Sequence, residues 1–326
     1  MNFFDKLKQI VSAKQPVIVF PEGTSERILT AASKLKADKI MNPLVLGKAD
    51  EIKKLADEKN IDISHLDTLD AEKYEDIDKL VDMFVERRKG KITAEDARKK
   101  LLTDTNYFGT MLVYSGKADC MVSGAVHTTG DTVRPALQII KVKPGHSRVS
   151  GLFIMVKGEK IYLVADGAIN INPDAQAIAE ITETTVDTAR SIGMEPRVAM
   201  LSFSTHGSAN SEETEKMAEA TRLVREKMPE LIVDGEIQFD AAFVPEIADR
   251  KAPGSPLKGN ANVFIFPCLD AGNIGYKLIQ RFGGYDAIGP VLQGLNMPVS
   301  DLSRGCTAEE AYNLALFTAA TAITGK

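Results

Sequence analysis

This chain has no tryptophan, and only three cysteines and four histidines among its 326 residues. Cys120, Cys268 and Cys306 are too few and too separated for a disulfide framework or a thiolate zinc site. His65, His127, His146 and His206 show no metal-ligand spacing. That argues against a histidine-rich metal centre and leaves an all-carboxylate magnesium site only formally open. No apolar run approaches the ~18 residues of a membrane-spanning helix. The opening MNFFDKLKQI lacks the basic, apolar and small-residue pattern of a secretory leader, so the chain is expected in the cytoplasm. Internal repeats and low-complexity tracts are missing as well. With 40 basic against 45 acidic residues the net charge is −5, which opposes nucleic acid and anionic membranes as partners. An anionic ligand would then need a local group of arginines. A hydrophobic content of 44% with 26% charged residues is ordinary for a globular protein.

The N-terminal half alternates short β-branched runs with helical patterns, which predicts a parallel sheet covered by helices. Strands are expected at Pro16–Pro21, Pro43–Leu46 and Ala118–Val122. Helices are expected at Glu26–Lys36, Glu51–Glu58, Asp76–Lys89, Ala94–Leu102, Asn106–Ser115 and Asp131–Ile140. The pattern then changes to a hairpin, Val149–Lys157 and Lys160–Ala165 about a turn containing Gly158. Further on, a helix follows Pro173, and helices are expected at Glu212–Lys227, Ala241–Asp249 and Thr307–Ile323. Strands are expected at Val198–Phe203, Leu231–Val233 and Asn262–Phe266. The shift to a hairpin places a domain boundary near residues 145–150.

Four segments put small, hydroxyl or basic residues where a strand hands over to a helix, the position at which open α/β sheets bind ligands. In Ser123–Arg134, glycines allow close backbone approach, Thr128 and Thr129 offer hydroxyls, and Arg134 supplies a planar fork for phosphate. An ordinary capped helix start would look much the same. Ser202–Asn210 is hydroxyl-rich but is equally a polar turn. Lys251–Pro256, Gly259–Pro267 and Ala271–Arg281 read as a rigid loop, a packed strand and a helix whose structure does not itself require Lys251, Lys277 or Arg281. In Asp301–Glu310, Thr307 and Glu310 have capping-box spacing, so Ser303 and Arg304 fall just before a helix. A hydroxyl, a guanidinium and a carboxylate so close together suit carbonyl polarisation and proton transfer.

Taken together, Gly124-Ala-Val-His-Thr-Thr-Gly-Asp-Thr-Val-Arg-Pro135, Ser202-Phe-Ser-Thr205, Asp234-Gly-Glu236, Lys251-Ala-Pro-Gly-Ser-Pro256, Asn262-Val-Phe-Ile-Phe-Pro267, Gly272-Asn-Ile-Gly-Tyr-Lys277 and Asp301-Leu-Ser-Arg-Gly-Cys306 resemble the phosphate acetyl/butyryltransferase family. The resemblance runs over essentially the whole chain, in order. It implies two α/β/α domains with mostly parallel sheets and an interdomain cleft, in the manner of isocitrate/isopropylmalate dehydrogenases. Domain I would comprise 1–149 plus the returning helix 312–326, and domain II 150–311, with the chain forming a homodimer. The implied reaction is acetyl-CoA + phosphate ⇌ acetyl phosphate + CoA. CoA, acetyl phosphate and phosphate are its partners, and no metal or other cofactor is implied. The family's catalytic serine–arginine pair falls on Ser303 and Arg304, and its anion-binding arginines on Arg88 (with Arg87 adjacent), Arg134 and Arg281. The family's proposed catalytic aspartate falls on Glu310, one methylene longer.

An acyl phosphate is already activated, and a thiol with a pKa of about 8.5 is a few per cent thiolate at pH 7. What remains is to deprotonate the CoA thiol, align it, and stabilise the oxyanion and leaving phosphate. Glu310 is the candidate base, with Ser303 beside it. Arg304 would polarise the carbonyl, while Arg134 with Ser123, Thr128 and Thr129 would hold the phosphoryl group. Cys306 is read as a small buried residue rather than an acyl carrier. The rival readings are a phosphate butyryltransferase with a longer acyl pocket and a non-catalytic CoA- or acetyl-phosphate-sensing domain.

Overall fold

The computed structural model describes residues 3–324. The chain divides into two compact units, Met1–Pro144 with Leu295–Lys326, and Gly145–Gly294. In chain order the strands are β1 (Val17–Phe20), β2 (Asn42–Leu46), β3 (Asp67–Leu69), β4 (Cys120–Ser123), β5 (Ser150–Lys157), β6 (Lys160–Ala165), β7 (Arg197–Leu201), β8 (Ile232–Ile237), β9 (Val263–Ile265), β10 (Asp286–Gln293) and β11 (Val299–Asp301).

In the first unit β3-β2-β1-β4-β11 form a parallel sheet in that order. The unbroken apolar run of β1 buries Ile18, Val19 and Phe20, as a central strand covered on both faces requires. Helix Glu26–Ala37 turns Ile28, Leu29, Ala32 and Leu35 inward at helical spacing. The closing helix Ala308–Thr324 is buried almost all round, at Leu314, Ala315, Leu316, Phe317 and Ala319, and packs on Glu26–Ala37, Phe3–Ser12 and β4. Its Thr318 hydroxyl donates to Ser300 Oγ of β11 at 2.7 Å.

The second unit holds β10-β5-β6-β9-β7-β8. The expected hairpin is present, with β5 antiparallel to β6 and Gly158 at φ 61° in its turn. Strand β10 runs antiparallel to β5, whereas β6, β9, β7 and β8 are parallel. Asp174 caps helix Ala175–Ser191 by accepting from Ala177 N at 2.8 Å.

Several expectations change on inspection. The single helix foreseen over Ala241–Asp249 is two, Phe239–Phe243 and Pro245–Lys251, because Pro245 starts a new helix and cannot donate into the preceding one. The helix expected from Asp131 starts at Thr129, and past Pro135 it widens into a π-helical turn, Ala136–Ile140. Residues 295–311, expected in the second domain, belong with the first unit, because β11 pairs in parallel with β4.

Candidate functional site

Strands β1, β4 and β11 lie side by side and parallel, so the loops leaving their carboxyl ends gather at one edge of the first sheet. The loop after β1 carries Glu22 and Arg27, that after β4 carries Gly124–Thr128, and that after β11 carries Leu302–Cys306.

Two charged side chains, the buried Glu22 and the half-buried Arg27, fasten these loops together. Glu22 accepts from the backbone N–H groups of Ala125, Val126 and His127, each at 2.8 Å, and pairs with His127 Nδ1 at 2.9 Å. Burial pushes the Glu22 carboxyl upward, but the His127 and backbone donors outweigh it and leave its pKa below the usual range. The same hydrogen bond raises the pKa of His127. Arg27 spans two loops. Its Nη1 donates to Arg304 O at 2.7 Å and Cys306 O at 2.9 Å, and its Nη2 to Ala125 O at 2.7 Å. Neither Glu22 nor Arg27 was singled out from sequence. Their only signal was Pro21-Glu-Gly-Thr-Ser-Glu-Arg27 following a buried strand, a pattern any strand-to-helix turn can show.

Ser303 and Arg304 are exposed at the tip of the last loop. The Ser303 hydroxyl accepts from Gly305 N at 3.2 Å. Behind them Cys306 is buried, and burial pushes its thiol up to about 11, with Arg27 pulling the other way and Glu310 adding to the rise. Glu310 closes the capping box foreseen from its spacing. Its Oε2 accepts from Thr307 N at 2.8 Å, and Thr307 Oγ1 accepts from Glu310 N at 3.1 Å. Thr128 is likewise a cap, its hydroxyl donating to Asp131 Oδ2 at 2.7 Å. Ser123 lies wholly buried at the end of β4, out of reach of a ligand in solution, while Thr129 is half-buried at the helix start.

The adjacent arginines 87 and 88 separate cleanly. Arg87 donates to Ile139 O at 2.6 Å and Ile140 O at 2.9 Å and lies 4.8 Å over the Tyr114 ring, so it holds the π-helical turn. Arg88 makes no hydrogen bond or ion pair among the described residues. Burial, with the Asp104 charge, raises the pKa of the Tyr107 phenol, and the charges of Arg134 and Arg88 pull it the other way. Arg281 lies in the second unit, exposed near the end of helix Leu269–Gly283.

A broader pattern emerges from all the arginines. Arg27, Arg87, Arg98, Arg148, Arg190, Arg197, Arg222, Arg225 and Arg250 are each hydrogen-bonded within the protein. Only Arg88, Arg134, Arg281 and Arg304 lack such a bond among the described residues. A guanidinium with five undirected donors in a chain of net charge −5 is available to an anion.

A model of the phosphate acetyl/butaryl transferase family matches residues 2–319. The phosphate acetyltransferase of Bacillus subtilis strain 168 is 59% identical over 322 residues, covering 99% of each chain. Among solved structures, the EutD phosphotransacetylase from Staphylococcus aureus superposes with a TM-score of 0.91 at 56% identity and 98% coverage of both chains. A phosphotransacetylase from Streptococcus pyogenes gives 0.92 at 52% identity, again with 98% of each chain covered.

Proposed function

The chain belongs to the phosphate acetyl/butaryl transferase family and transfers acetyl groups reversibly between coenzyme A and phosphate; we propose that transfer is direct, the CoA thiol attacking acetyl phosphate while both are bound. The observation that carries this reading is the set of arginines whose guanidiniums have no hydrogen-bond or ion-pair partner among the described residues. Arg88, Arg134, Arg281 and Arg304 are also the positions where the family pattern calls for anion binding or catalysis. CoA and acetyl phosphate are polyanions, so binding must come from such local charge against the overall field.

In the proposed step Glu310 takes the thiol proton and the thiolate sulfur bonds to the acetyl carbon. Arg304 and the Ser303 hydroxyl steady the negative charge that develops on the carbonyl oxygen. The C–O bond to phosphate then breaks, and phosphate leaves against Arg134 and the Thr128–Thr129 start of its helix. A thiol near pKa 8.5 needs a base more than it needs activation, and an acyl phosphate needs neither metal nor redox help. Cys306 supports the direct route, because a buried thiol held near 11 is almost wholly protonated at neutral pH. The proposal also assigns Arg88 and Arg281 to anionic parts of CoA. It retains a two-domain, isocitrate/isopropylmalate-dehydrogenase-like architecture, a homodimer and a cytoplasmic setting.

CoA-dependent thioester formation from acetyl phosphate, compared in wild type and Arg304→Ala, tests this assignment. Loss of one charge-stabilising donor typically costs on the order of 10²–10³ in kcat, and Arg304→Ala should show that loss with little change in KM. A pure KM effect would make Arg304 a binding residue. Butyryl phosphate in the same assay reads the acyl preference, and acetyl phosphate should turn over faster.

A further inference from the structure

Beneath the loop after β4 lies a group of buried polar side chains, Asp301, Ser123 and Thr132, to which the mechanism above gives no role. Asp301 ends β11 directly opposite Ser123 of β4, and Leu302 N donates to Ser123 O at 2.7 Å. Gly124 covers the carboxyl. Its φ of 108° suits glycine, and a Cβ there would run into Asp301 Oδ1 and the Leu302 backbone. Asp301, Ser123 and Thr132 are all 0% exposed. Among the described residues neither Asp301 oxygen, nor Ser123 Oγ, nor Thr132 Oγ1, has a well-formed hydrogen bond, although the Thr129 and Thr132 hydroxyls lie near enough to the carboxyl to act on it. Buried polar atoms are nearly always paired, so several orphans at one spot demand a reason. Thr132 precedes Arg134 by two residues, and Ser303 follows Asp301 by two. The orphaned carboxyl therefore joins the two segments that carry the proposed phosphate and carbonyl contacts.

We propose that Asp301 is a positioning residue, its ionised carboxylate gathering the hydroxyls of Ser123, Thr129 and Thr132 so that Arg134 is held in register with Ser303 and Arg304 on the facing loop. This rests on the site reading given above. Glu22 and Arg27 tie the same loops together through backbone groups, and Asp301 is the further buried charge at this point that could join them. Burial pushes the Asp301 carboxyl up to about 6; the hydroxyls of Thr129 and Thr132 draw it down, and the neighbouring Glu22 charge adds to the rise. His127 is bound to Glu22, which raises its pKa, and it too can change charge across the pH range tested, so only a change relative to wild type identifies Asp301. The carboxylate form, the only one that accepts from all the hydroxyls, is lost as pH falls through about 6.

The test measures kcat and KM for acetyl phosphate from pH 5 to pH 8 in wild type, Asp301→Asn, Thr132→Val and Arg134→Ala, with melting temperatures alongside. Asp301→Asn should melt at or above the wild-type temperature at pH 8, yet lose at least tenfold in kcat/KM and lose the acid limb near pH 6. Thr132→Val removes a donor to the carboxylate, so it should lose less activity and shift that limb to higher pH. It also decides the question if Asp301→Asn does not fold. Wild-type kcat/KM with an unmoved limb in the folded variants would overturn the proposal. If Arg134→Ala raises KM while these variants do nothing, the positioning role alone fails. If Arg134→Ala is silent too, the underlying site reading fails.

Discussion

Glu310 carries two demands on one carboxylate. As a cap it accepts from Thr307 N, and its removal should cost only ~1 kcal/mol. As a base it should matter by about 10²–10⁴ in rate. Glu310→Gln separates the two, because the amide keeps an oxygen for the cap but cannot take a thiol proton. A large fall in kcat at nearly unchanged melting temperature is expected, with substantial activity in Glu310→Asp. Activity within a few-fold of wild type for the Gln variant would reduce Glu310 to a cap. The Glu22–His127 pair makes a separate, pH-dependent prediction. His127 is raised above 6.5, so its contribution to stability is fully present below that pH and is lost as pH rises through the raised value. Glu22 is lowered below 4.5, so its contribution is present above that pH and is lost as pH falls through the lowered value. The loop after β4 is thus held most firmly between roughly pH 5 and 6.5. Glu22→Gln should cost about 3 kcal/mol in denaturant unfolding at pH 6, and the His127 titration followed by NMR should move down. An unmoved His127 titration would contradict the pairing.

Among the elements, the closing helix Ala308–Thr324 sets the position of the loop that precedes it. Phe317 is 0% exposed within that helix, so Phe317→Ala should cost about 3–5 kcal/mol through lost burial and the cavity left behind. Calorimetric or denaturant unfolding measures this, and a loss under 1 kcal/mol would mean that the helix is not part of the core. That helix was plain in the sequence from its length and apolar content, as were β1 and the β5–β6 hairpin. Strand β10 was not, because Gly289-Pro290 interrupts Asp286–Gln293 at the irregularity between Ile288 and Val291, and proline normally argues against an interior strand. Strand β3 is a three-residue edge, Asp-Thr-Leu, with too little apolar content to register. Strand β11 is short and ends in the motif that was read as a loop, so the membership of residues 295–311 depended on a pairing invisible in the local pattern. Arg88, Arg134, Arg281 and Arg304 were legible through motif likeness. Glu22, Arg27 and Asp301 were not, because what distinguishes them is burial and long-range bonding rather than spacing.

For the whole molecule, an acidic chain must handle acidic substrates, and among the described residues Arg88, Arg134, Arg281 and Arg304 make no hydrogen bond or ion pair through their guanidiniums while the other arginines bond within the protein. In the proposed reaction the acetyl group passes straight between the substrates and never rests on the protein. Rapid quench of the enzyme with labelled acetyl phosphate, with and without CoA, tests it most directly in wild type and Cys306→Ala. Direct transfer leaves no protein-bound acetyl label in either protein, puts label in acetyl-CoA only when CoA is present, and lets Cys306→Ala keep most of kcat. A stoichiometric acetyl-enzyme formed without CoA, and absent from Cys306→Ala, would contradict it.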